Sequence, residues 1–137
     1  MYLAPGQIIL DSYEIIAPIG SNGSRESYRA RDQSNGSNVV LRILSNPNES
    51  GLQTRFNDEA VALSRVDHAH VSSIRHFGLI DDQVPCIVLT ETNGPSLAEF
   101  ITQQGPMDWP DAVHLICQVL DGLGALHRER LIHRDVC

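Results

Sequence analysis

The chain predicts an α+β fold in which a five-stranded antiparallel sheet with one inserted helix is followed by two further helices. Three observations carry this. Apolar runs from Gln7 to Val40 are separated by Gly, Ser and Asn clusters, as in a β-meander. One segment of helical period, near Thr54 to Val66, interrupts the strand pattern. Between Glu91 and Pro95 the chain then passes from a strand-rich part to a helix-rich part, which divides it into units 1–92 and 93–137.

Each element has its own signal. Tyr13, Ile15 and Ala17 alternate with their neighbours as a half-buried strand does, and Gly20 to Ser24 reads as a turn. Ser27 to Arg31 and Asn38 to Leu44 form the next two strands, joined by a loop with an Asn35-Gly36 hairpin signal. In the inserted helix, Phe56, Ala60, Leu63 and Val66 fall at helical spacings. Ser73 to Ile80 and Val84 to Thr90 complete the sheet around an Asp81-Asp82-Gln83 turn. Ser96 and Glu99 fit a capping box that opens a short helix. Asp108, with Pro110 behind it, then starts a longer helix that runs to about Arg128.

Composition narrows the chemistry. The 42% hydrophobic and 20% charged residues are those of a globular domain, and the chain of 137 residues is long enough for one core. All ten basic residues are Arg, against 17 acidic ones, for a formal charge of −7. With no Lys, a Schiff base, a Walker-A lysine and a lysine general base are excluded. The acidic balance and scattered arginines also exclude nucleic acid as an expected partner. Cys86, Cys117 and Cys137 are odd in number and widely spaced, which suggests neither a disulfide framework nor a four-Cys zinc site and fits a reducing, cytoplasmic setting. No leader-like N-terminus and no membrane-spanning apolar run is legible. Asp67, His68, His70 and His76 raise a metal reading, but no further ligand stands at standard spacing, so no metal site is expected.

Several motifs occur in a telling order. Ile19-Gly20-Ser21-Asn22-Gly23 precedes Tyr28-Arg29-Ala30-Arg31-Asp32, and Val39-Val40-Leu41-Arg42 follows, with Glu59 on the inserted helix. Gly94-Pro95-Ser96-Leu97, Gln104-Gly105-Pro106-Met107 and Ile132-His133-Arg134-Asp135 come after it. From Tyr13 to Val136 the sequence resembles the protein kinase family, most closely the bacterial Ser/Thr kinases of eukaryotic-like type. The resemblance implies a small lobe with its hinge over 1–92 and the first two helices of a truncated large lobe over 93–137.

It also implies roles, position by position. Gly20 matches the first glycine of the phosphate loop, Asn22 and Arg25 stand where the second and third belong, and Gly23 falls where glycine is optional. Ser27 and Val40 take the two positions that sandwich adenine, Leu89 the gatekeeper, and Thr90 to Thr92 the hinge. Val40 adds two methyl groups where the family has Ala, an overfilling that costs roughly 1 to 3 kcal/mol. Arg42 replaces the phosphate-pairing lysine, so an Arg42–Glu59 ion pair is expected as a brace rather than a catalytic element. Asp135 corresponds to the acceptor of the substrate proton. The family's remaining parts, including its Mg²⁺ ligands, belong beyond Cys137.

The reading that results is a truncated Ser/Thr protein kinase-like domain, a pseudokinase with impaired ATP binding and no phosphotransfer of its own, acting through protein contacts. The alternative is the N-terminal part of an active kinase using ATP and Mg²⁺. The helix over 108–128 is apolar on more than one face, which predicts self-association or a protein partner.

Overall fold

The computed structural model describes residues 3–46 and 51–132. Its elements, in order, are β1 (Ile8–Ile9), β2 (Tyr13–Asn22), β3 (Arg25–Asp32), β4 (Asn38–Leu44), α1 (Leu52–Leu63), β5 (Ile74–Ile80), β6 (Val84–Thr90), α2 (Leu97–Gln104) and α3 (Trp109–Arg128). The strands form one antiparallel sheet in the order β1-β2-β3-β4-β6-β5. The α+β architecture is the expected one, with a sixth strand added at the edge. That strand, β1, is two residues long and precedes Leu10 and Asp11, which both hold positive φ and turn the chain back toward β2. Nothing so short carries a period-2 signal.

Side-chain alternation gives the sheet two faces. On the far face Tyr13, Ile15, Tyr28, Ala30, Val39, Leu41, Ile43, Cys86 and Val88 form the main core, with Leu3 and Ile9 laid over it. Burial there pushes the Cys86 thiol up to about 11, so it is a packing residue and not a reactive one. On the helix side, Phe56 and Ala60 of α1 pack on Leu44, Ile87 and Leu89, with Val40 and Ile74 at the margin. Leu63 belongs to a different cluster from Ile74, the one beneath α3.

Two turns depart from or refine the sequence reading. Gly20 to Asn22 is not turn but strand: Gly20, Ser21 and Asn22 pair with Ser27, Glu26 and Arg25, leaving only Gly23 and Ser24 to reverse the chain. Gly23 holds φ +58°, which a residue without Cβ adopts at no steric cost. The β3–β4 loop is organised by the buried Asp32. Its carboxylate accepts the Ser34 hydroxyl at 2.6 Å, the Ser34 N–H at 2.9 Å and the Asn35 amide at 3.1 Å, and these bonds hold the carboxyl below its ordinary range.

The helices shift slightly from their expected ends. The first begins at Leu52 and stops at Leu63 rather than Val66. There the Ser64 hydroxyl donates to the Val61 carbonyl at 2.7 Å, a local bond that competes with helix continuation. The capping box of α2 forms as expected, with Ser96 and Glu99 each bonding the other's backbone N–H. Asp108 sits at the N-cap of α3 with Pro110 inside the first turn, although its side chain makes no capping bond.

Among the described residues, α3 is anchored at its C-terminal end. Ala125 and Leu126 pack on Val66, with Leu63, Val71, Leu123 and Leu131 around them. The approach is close at Gly122, where a Cβ would lie 3.0 Å from the His70 carbonyl oxygen; at Gly124 it would meet only the tip of Arg128, at 3.8 Å. Both glycines weaken a helix by roughly 0.5 to 1 kcal/mol relative to Ala. In thermal denaturation, Gly124→Ala is expected to raise the melting temperature by that gain, whereas Gly122→Ala lowers it because a backbone carbonyl must move. Equal stabilisation by both would contradict this packing.

Candidate functional site

The helix-side face of β3, β4 and β6 brings together most of the residues singled out from the sequence. Register places Ser27 opposite Arg42, Arg29 opposite Val40, and Arg25 opposite Leu44 on β3 and β4. Across the other edge of β4, Val40 lies opposite Leu89 and Arg42 opposite Ile87. Successive side chains alternate, so Arg25, Ser27, Arg29, Val40, Arg42 and Leu89 share one face. Gly20 and Asn22 flank it from β2, and Gly23 forms the hairpin tip.

Glu59 reaches this face from α1, and its partner is Arg25. Arg25 Nη1 donates to Glu59 Oε1 at 3.0 Å and Nη2 to Oε2 at 2.5 Å, a two-pronged pair. The Arg25 guanidinium also lies 5.8 Å from the centre of the Phe56 ring, on the same helix as Glu59. This corrects the expectation of an Arg42–Glu59 brace. The Arg42 side chain is exposed and makes no hydrogen bond or ion pair among the described residues. The reason is geometric. Arg25 opens β3 opposite Leu44, beside the cluster that seats α1, while Arg42 lies two residues further along β4. The planar fork at the nearer position engages both carboxylate oxygens, one hydrogen bond on each.

A second ion pair spans the opposite end of the face. Arg29 Nε donates to Glu91 Oε1 at 2.5 Å, with the Glu91 side chain 11% exposed and that of Arg29 50% exposed. Glu91 sits between Thr90 and Thr92. Thr90 is tied to the sheet through its N–H, which donates to the Ser73 carbonyl at 3.0 Å, whereas Thr92 is exposed. This pair was not anticipated from the sequence. The signal was present in the i, i+2, i+4 spacing of Arg25, Ser27 and Arg29, which puts three consecutive same-face positions on one strand.

Asp135 and His133 lie outside the described residues, so their place relative to this face is not part of the geometry. The His and Asp cluster divides. His68 and His70 stand edge to face with centroids 5.5 Å apart, and the His70 N–H donates to His68 Nδ1 at 3.2 Å. His76 faces the Tyr13 ring instead, at 5.9 Å. Among the described residues no three His, Cys, Asp or Glu side chains group so as to hold a metal ion.

This arrangement of a twisted sheet, one braced helix and a strand-to-helix crossover defines a class, and the comparisons agree on it. The Protein kinase domain family matches residues 13–137, and the chain belongs to that family. It is 36% identical over 137 residues to the serine/threonine-protein kinase pkn2 of Myxococcus xanthus, covering 98% of this chain and 16% of that protein. It is 31% identical over 133 residues to serine/threonine-protein kinase PrkC of Bacillus subtilis, covering 96% of this chain and 20% of that protein. A crystal structure of the Mycobacterium tuberculosis PknI kinase domain superimposes with a TM-score of 0.80 at 21% identity, over 98% of this chain and 55% of that one. The chain therefore spans less than a quarter of the length of these curated relatives and about half of a solved kinase domain.

Proposed function

We propose that this Ser/Thr protein kinase-like segment is a pseudokinase, weak or inert toward ATP and inactive in phosphotransfer as the 137-residue chain, and that it works through protein contacts. The observation that carries the reading is the two-pronged Arg25–Glu59 pair. In the family the helix glutamate steadies the cation that holds the nucleotide phosphates. Here that carboxylate is committed to an arginine from the loop strand, and the cation at the family's lysine position, Arg42, is exposed and has no ion-pair partner among the described residues.

The family implies ATP with Mg²⁺, and the residues present fit that group poorly. Val40 is bulkier than the small residue that the adenine slot takes, Ser27 supplies a hydroxyl where an apolar contact belongs, and Asn22 and Arg25 carry side chains where backbone must approach phosphate closely. The active-kinase alternative rests on the names of the relatives and on the presence of Glu59 on α1; it requires that Arg25 surrender the carboxylate when nucleotide arrives.

Mg²⁺-ATP is expected to leave the melting temperature of the chain unchanged, although a ligand at 100 times its Kd stabilises by about 2.7 kcal/mol. Arg42→Lys should not restore phosphotransfer, because Arg25 still occupies Glu59. A clear upward thermal shift, or autophosphorylation detected by mass spectrometry in the pure chain, decides for the active kinase.

The contact surface of this reading is α3 with α2. Trp109, Val113, Ile116 and Leu120 of α3 are each about half exposed or more, as are Leu97 and Ile101 of α2 to a slightly lesser degree. Exposed apolar residues at i, i+4, i+7 and i+11 along α3 lie on one side of the helix, and such a stripe favours burial against protein. No described helix is long and apolar enough to cross a membrane, and the free thiols of buried Cys86 and exposed Cys117 support a reducing, cytoplasmic setting. Light scattering is expected to show association that rises with concentration and falls on Ile116→Glu with Leu120→Glu; a strict monomer at all concentrations counts against a self-associating surface.

A further inference from the structure

The Arg29–Glu91 pair crosses the sheet, and its path follows from the strand order. Arg29 is on β3, and Glu91 lies just beyond the end of β6. These strands are not neighbours, because β4 runs between them. Two strand spacings separate them, about 9 to 10 Å. Arg29 Nε nonetheless meets Glu91 Oε1 at 2.5 Å, so the two side chains together bridge β4. They do so on the helix-side face, because Arg29 is registered opposite Val40, and Val40 opposite Leu89. The bridge thus lies over the strand position that carries Val40, at the hinge end of the face.

We propose that the Arg29–Glu91 pair is a latch that closes the adenine end of the cleft against flat aromatic ligands. The latch rests on the reading of Ser27 and Val40 as the positions that hold adenine, with Leu89 beside Val40 as the gatekeeper. A planar ring reaching those side chains from the open side must pass where the guanidinium and carboxylate now meet. The Glu91 side chain is only 11% exposed, so separating the pair also leaves a largely covered carboxylate without its cation. Arg29 is half exposed, so salt screens the latch and loosens it. Occupancy of the cleft is then set partly by ionic conditions rather than by slot shape alone.

Adenosine is the suitable probe, because it carries no charge and its own binding is not screened by salt. Its Kd is measured by NMR titration for the wild-type chain, Glu91→Gln, Arg29→Gln, and the exchanged pair Arg29→Glu with Glu91→Arg. Glu91→Gln and Arg29→Gln are expected to bind adenosine about fivefold more tightly than wild type or better, as loss of a partly exposed ion pair allows. The exchanged pair should stay near wild type. Raising salt should tighten adenosine binding to wild type and leave Glu91→Gln unmoved. If both single variants keep the wild-type melting profile and neither gains affinity, the latch is overturned, whether or not wild type binds. Tight Mg²⁺-ATP binding by wild type would instead overturn the pseudokinase reading and leave a gain in the variants standing.

Discussion

One carboxylate and two candidate arginines decide what this sheet face does. A single guanidinium can engage both oxygens of Glu59 in a planar fork, and here that fork is supplied from one strand and not the other. Arg25 is that guanidinium. Its position at the start of β3, beside the apolar cluster of Phe56, Ala60 and Leu44, ties Glu59 of α1 to the loop strand, while the apolar face of α1 packs on β4 and β6. The net energy of such a partly exposed pair is small, within about 1 kcal/mol. Its consequence is larger than its energy, because it settles which strand owns the helix glutamate.

The second ion pair extends the same logic along β3. Arg25 and Arg29 are four residues apart and so point to the same side, with Ser27 between them. One ties the strand to α1 and the other to the segment after β6. A face that in kinases must stay open to a nucleotide is bridged at both ends by arginines of a single strand. The absence of lysine has a structural counterpart here: arginine forks are suited to holding carboxylates two-handed, as Arg25 holds Glu59, while Arg29 holds Glu91 through Nε.

The fold was largely legible because its signals were local and periodic. Alternation of Tyr13 and Ile15, the Asn35-Gly36 loop, and the Ser96 and Glu99 capping box each act within a few residues and appear where they were expected, whereas a bulge between Ile15 and Ala17 breaks the alternation and leaves Ala17 opposite Arg29 and outside the core. β1 was not legible, being two residues long and defined only by its partner. The candidate site was legible as a set of positions but not as a set of pairings. Motif order placed Glu59, Val40, Leu89 and Arg42 on one face, yet the choice between Arg25 and Arg42 depends on strand register and on where α1 sits. The hairpin prediction for Gly20 to Ser24 hid this, since a loop reading of Asn22 leaves Arg25 unplaced, whereas its pairing with Asn22 aims it at the helix.

The central claim is that Glu59 belongs to Arg25 and not to Arg42. Double-mutant cycles in chemical denaturation test it directly, using Arg25→Met, Arg42→Met and Glu59→Gln singly and in combination. A coupling of about 0.5 to 1 kcal/mol between positions 25 and 59, with less than about 0.3 kcal/mol between 42 and 59, is the predicted result. Coupling confined to 42 and 59 would contradict the account and return the face to the arrangement of an ordinary kinase.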